Sequence, residues 1–118
     1  MKKTVNVNSI WKGDMRIDAD ARGHTVIIDQ LPTDQGPNPM EYLLFSLGGC
    51  LGTLASIVSR QERIDLRGFS VELEGDYDPD FLFARTQEGR AGFTEIRAVV
   101  NIDADMTDEE KQEFFEKI

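Results

Sequence analysis

The sequence predicts an α+β domain, and three observations predict it. Stretches that alternate apolar and polar residues occupy positions 4–30 and return at 69–77 and 93–102, the period-2 pattern of half-buried strands. Between the two groups lies an uncharged run of 18 residues, Tyr42 to Ser59, with apolar residues at helical spacing. A second helix signal closes the chain after Thr107. Strands, helix, strands, helix is the order of an α+β fold. A chain of 118 residues and 13.3 kDa fits one domain spanning 1–118, with room for a modest core.

The elements follow in order. Thr4 to Trp11 carries Val5, Val7, Ile10 and Trp11 among polar residues and reads as a first strand. Gly13-Asp14 gives a turn, Met15 to Ala19 a second strand, Arg22-Gly23 another turn, and His24 to Gln30 a third strand. These spacings predict an N-terminal antiparallel meander. Leu31 to Pro37 is a loop holding two of the four prolines. Asn38 then suits a helix N-cap and Pro39 the first helical position, where a missing N–H costs nothing. Glu41 stands where a capping-box carboxylate reaches back to the Asn38 amide. Met40, Leu43, Leu44, Leu47, Leu51, Leu54 and Val58 form one apolar stripe with Cys50 on its flank. Tyr42 and Phe45 point elsewhere, so this helix is expected to be covered on more than one side.

Asp65 to Gly68 breaks the pattern, and Phe69 to Tyr77 alternates as a strong half-buried strand. Asp78 to Gly89 reads as a long connection. Its Phe81, Leu82 and Phe83 make either a partner or ligand surface or a loop folded back on the core. Phe93 to Ile102 is another strand, and Thr107-Asp108-Glu109-Glu110 a capping box that opens the last helix, with Phe114, Phe115 and Ile118 inward. That helix stops at Ile118 without a C-cap glycine, and the chain looks cut short.

Composition excludes several functions. A net charge of −9 and a pI near 4.5, with no basic cluster beyond Lys2-Lys3, argue against a general nucleic-acid binder. The amino terminus lacks an apolar secretion segment, and one cysteine builds no disulfide framework, so a cytoplasmic protein is expected. The apolar run meets the length of a membrane span and contains Gly48-x-x-x-Gly52. Its Ser46, Thr53, Ser56 and three glycines fit a buried central helix better. No cofactor or metal is expected. One Cys and one His, His24, lack ligand spacing, and the acidic 103–110 stretch lacks the order of a calcium loop. Cys50 on its own reads either as a reactive thiol or as a small buried hydrophobe.

Gly36-Pro37-Asn38-Pro39-Met40-Glu41-Tyr42-Leu43-Leu44, followed by Leu47-Gly48-Gly49-Cys50, resembles the signature of the OsmC/Ohr family. Order and length agree as well, over essentially the whole chain. The resemblance implies an intertwined homodimer in which the long helices of two chains pack between sheets. It implies thiol-dependent reduction of organic hydroperoxides, with Cys50 at the peroxidatic position, a role in oxidative or osmotic stress defence, and a thiol reductant. A second, resolving cysteine belongs late in the second long helix of the family's peroxidases, and no such thiol lies within these residues. In the Ohr branch a glutamate directly follows the Asn-Pro pair. Met40 stands there, and Glu41, nine residues before Cys50, falls on the opposite helix face and reads as a cap. The chain is therefore closer to the OsmC-like branch. An arginine of the N-terminal hairpin steadies the thiolate in Ohr proteins, and Arg16 and Lys12 lie in the matching region, with Arg22 a weaker candidate.

Only a thiolate attacks a peroxide oxygen, so a reactive Cys50 needs a local cation in this acidic protein. Gly48 and Gly49 clear side chains from beside the sulfur, which makes room for substrate or for a second helix. Two functions follow. One is an organic hydroperoxide reductase acting through Cys50 with Arg16 or Lys12. The other is a non-catalytic dimeric binding module with a structural Cys50.

Overall fold

The computed structural model describes residues 1–82 and 92–118. Its elements are β1 (Asn8–Trp11), β2 (Ile17–Ala21), β3 (His24–Ile28), α1 (Pro39–Gln61), β4 (Gly68–Tyr77), α2 (Pro79–Leu82), β5 (Phe93–Asp103) and α3 (Asp108–Glu116). This is the α+β order that the sequence predicts. The chain divides into two compact units, Met1–Leu43 and Leu44–Ile118.

The first unit holds a three-stranded antiparallel sheet in the order β1-β2-β3. Ala21 pairs with His24 across Arg22 and Gly23, whose φ values of 55° and 85° are those of a two-residue hairpin turn. The same turn explains why β1 is half its expected length. Asn8 pairs with Asp20, so residues before position 7 face the bend at Arg22 and have no strand to join. At the other end, the Asp29 amide donates to the Pro37 carbonyl at 3.1 Å and turns the chain out of β3 two residues early. The loop folds tightly against β3. A Cβ on Gly36 would collide with the Ile27 carbonyl oxygen, which also accepts the Tyr42 hydroxyl at 2.7 Å.

The second unit is built on the antiparallel pair β4–β5, whose register shifts between Asp76 and Tyr77. On one face Val71 and Leu73 meet α1 at Gly48, where an added Cβ would lie 3.3 Å from both side chains. Ala55 and Val58 of α1 and Phe114 of α3 form the buried centre, with Ile64, Leu66, Phe69, Ile102, Met106 and Ile118 packed around them. At the far end of the sheet the Phe93 ring covers Gly75 and meets Tyr77 edge-on at 6.4 Å. The opposite face is polar, where Arg97 bridges Glu74, Asp76 and Glu95. Three acids hold that guanidinium firmly protonated, Asp76 foremost.

Thr107 and Glu110 exchange side-chain and backbone hydrogen bonds in the expected capping box of α3. Phe114 is 1% exposed, whereas Phe115, expected inward, stands at the surface. Adjacent residues of a helix point about 100° apart, and here Phe114 takes the centre of the buried face and leaves Phe115 beyond its edge. The connection after β4 opens with the short helix α2, just before which Asp78 accepts from the Asp80 amide at 2.9 Å through its side chain. The side chains of Phe81, Leu82 and Phe83, and with them the expected aromatic surface, lie outside the described residues.

Candidate functional site

Helix α1 starts where the sequence places it. The Asn38 amide donates to Glu41 Oε1 at 3.0 Å, and the Glu41 amide donates to Asn38 Oδ1 at 2.9 Å. Glu41 thereby spends its carboxylate on an N-terminus whose amides and dipole favour negative charge. From this cap the helix runs 23 residues to Gln61.

Its two sides differ. Ala55, Val58 and Ser59 are buried, and Ser59 returns its hydroxyl to the Ser56 carbonyl at 2.9 Å. Leu47, Leu54 and Ile57, 37%, 39% and 45% exposed, lie on the other side with Cys50, which is an exposed free thiol. Spacings of three, four and three residues keep these four in one stripe. Among the described residues, a Cβ added at Gly49 or Gly52 would have no neighbour within 4 Å beyond the helix's own backbone. The predicted apolar stripe is therefore divided: Val58 goes to the core, and Leu47 and Leu54 remain outside with the sulfur. By length and composition α1 could cross a membrane. Its packing on β4 through Gly48 and its buried Ala55, Val58 and Ser59 set one of its sides in the core of the second unit.

The candidate cations lie in the first unit. Arg16 and Lys12 line one concavity of about 380 Å³ together with Asp18, Asp29, Thr33 and Gln35. Arg16 Nε donates to Asp18 Oδ1 at 2.7 Å, and its Nη1 donates to Gln35 Oε1. Lys12 is exposed, and its backbone amide closes the turn on the Arg16 carbonyl at 2.8 Å. Arg22 occupies the hairpin turn with φ 55°, and His24 begins β3 at the surface. Among the described residues no group of three His, Cys, Asp or Glu side chains is placed to hold a metal ion.

Sequence reasoning passed over Asp29. It is 1% exposed, and its Oδ2 accepts from the Gln35 amide at 2.9 Å and from the Thr33 hydroxyl at 2.8 Å. Its Oδ1 is buried and takes no hydrogen bond among the described residues. The Gln35 amide first, then the Thr33 hydroxyl, hold the carboxyl below the ordinary carboxylate range, and the Arg16 charge adds to this. The available signal was local: an Asp closing an apolar strand, with Thr and Gln four and six residues on, is the composition of a loop tied by side chain to backbone.

Comparison with known proteins follows the same lines. The family model described as OsmC-like protein matches residues 32–118. No curated protein matches the chain. Among solved structures, an OsmC-like protein from Mycoplasma pneumoniae superposes with a TM-score of 0.86 at 19% identity, covering 98% of this chain and 80% of that one. A Psychrobacter arcticus protein described as an osmotic stress induced and detoxification response protein gives 0.74 at 19% identity, covering 99% and 83%. The organic hydroperoxide resistance protein OhrB of Bacillus subtilis gives 0.60 at 16%, covering 98% and 82%. At such identities the likeness is one of fold.

Proposed function

The chain belongs to the OsmC-like protein family, and from that premise we propose that it is a cytoplasmic, homodimeric, thiol-dependent reductase of organic hydroperoxides acting through Cys50 in stress defence. The observation that carries the proposal is the setting of the sulfur: exposed, unbridged, and flanked by Leu47, Leu54 and Ile57 on the outer side of α1. A structural cysteine is normally buried. An exposed thiol among apolar side chains offers a nucleophile and a surface for the hydrocarbon part of an organic peroxide.

In the proposed reaction the Cys50 thiolate attacks the terminal peroxide oxygen. An S–O bond forms, the O–O bond breaks, and the alkoxide leaves as an alcohol after taking a proton. The sulfenic acid then condenses with a thiol, releasing water and forming a disulfide, and a further thiol frees Cys50. Arg16, with Lys12 as the second choice, is proposed as the cation that favours the thiolate, a role carried over from the family resemblance. A second copy of the chain is the proposed cover for the outer side of α1, where Gly49 and Gly52 leave open space for a close approach.

The test is the rate at which Cys50 becomes sulfenic acid, followed by mass spectrometry, with cumene hydroperoxide against hydrogen peroxide. Fast oxidation that prefers the organic peroxide, lost in Cys50→Ser, is the expected result. A thiol that stays reduced for hours would turn the assignment toward a non-catalytic binding module.

A further inference from the structure

Arg16 is not a loose surface side chain. Its Nε is paired with Asp18, and its Nη1 with the amide oxygen of Gln35, nineteen residues away in the chain. A guanidinium has donors only, so Gln35 must present its oxygen. Gln35 in turn is placed by Asp29, whose buried carboxylate accepts the Gln35 backbone amide and the Thr33 hydroxyl. The Asp29 amide closes the base of the same loop on Pro37. A side chain as long as arginine has many rotamers, and each bond that removes one pre-organises its charge.

From this geometry we infer that Asp29 and Gln35 are positioning residues for Arg16: the buried carboxylate sets the 33–35 turn, and the turn delivers an amide oxygen that fixes the guanidinium. The inference rests on the proposed part of Arg16 in Cys50 chemistry, and it assigns the loop before α1 a purpose beyond connecting β3 to the helix.

Variants Arg16→Ala, Gln35→Ala and Gln35→Glu test it, each read by the rate of Cys50 oxidation with cumene hydroperoxide, and the two Gln35 variants also by the Arg16 Nε–H resonance in nitrogen-15 NMR. Gln35→Ala is expected to slow oxidation about tenfold, to the Arg16→Ala rate, with no further loss in the double variant. The Nε–H signal should broaden in Gln35→Ala. Gln35→Glu keeps an oxygen acceptor and should recover both the rate and the signal. Asp29→Asn approaches the same seat from inside the loop and should give the Gln35→Ala phenotype if it folds. Wild-type oxidation by Gln35→Ala, beside a slow Arg16→Ala, overturns the positioning role and leaves Arg16 in place. Wild-type oxidation by Arg16→Ala removes Arg16 from the chemistry and overturns the inference with it, whatever the resonance shows.

Discussion

The two sides of α1 carry nearly the same kind of residue and have opposite fates. Inward, Gly48 touches Val71 and Leu73, and Ala55 and Val58 close on Phe114. Outward, Leu47, Cys50, Leu54 and Ile57 are exposed, and a Cβ added at Gly49 or Gly52 would meet none of the described residues within 4 Å. Hydrophobicity does not separate them, since leucine, isoleucine and glycine stand outside and valine, alanine and glycine inside. What separates them, among the described residues of the second unit, is whether another element packs on that side. The β4–β5 hairpin and α3 supply one side. A folded chain that exposes a contiguous apolar stripe marks an interaction or ligand surface.

The largest effect is expected at the inner side. Phe114→Ala removes the most buried large ring of the second unit and should cost about 3–5 kcal/mol in denaturant unfolding. The outer side should respond differently. Leu54→Glu is expected to change the unfolding free energy of the isolated chain by less than about 0.5 kcal/mol, because its side chain already meets solvent. The same change should halve the mass seen by sedimentation if a second copy covers that side. An unchanged mass would break the pairing of outer stripe with dimer.

Two neighbouring glycines sharpen the contrast. Alanine in place of glycine inside a helix gains about 0.5–1 kcal/mol of backbone entropy. Gly49→Ala should show that gain in a monomeric background, because none of the described residues lies within 4 Å of the added methyl. In Gly48→Ala the methyl would press on Val71 and Leu73 at 3.3 Å, offsetting the gain, so thermal melting should rank Gly49→Ala above Gly48→Ala.

The smallest effect divides the polar anchors from the apolar core. Asp29, Asp76, Asp105 and Glu110 all have folded-state pKa values below their ordinary ones, lowered by the Gln35 amide, Arg97, Arg67 and Thr107 respectively. Each carboxylate therefore binds its proton less readily folded than unfolded. The stability it contributes is complete above the ordinary carboxylate range near 4 and is lost as pH falls through the lowered folded value. Melting temperature should be flat from neutral pH to about 5 and decline below 4. Asp29→Asn should make that decline shallower.

Much of the architecture was legible because its signals are local. Asn38, Pro39 and Glu41 specify a helix start within four residues, and the observed capping box uses the predicted atoms. Arg22-Gly23 specifies a tight turn, and the hairpin forms there. Strand ends were less legible, since β1 stops where its partner turns away and not where its own alternation ends. The candidate site was half legible. Cys50 was visible as the lone thiol of an apolar helix, and Glu41 as its cap. Asp29 and Gln35 were not, because their pairing with each other and with Arg16 exists only once the loop is closed.

By itself the sequence determined the α+β order, the two capped helices, the meander and the helix that bears Cys50, since each follows from spacing and from backbone preferences of a few adjacent residues. Tertiary structure alone decided which half of the apolar stripe enters the core, that Phe114 is buried while Phe115 is not, and that a carboxylate, Asp29, is enclosed behind Arg16. Those outcomes depend on what other parts of the chain bring to the same place. Burial and ionic pairing are properties of neighbours in space, which a helical period ranks but does not choose.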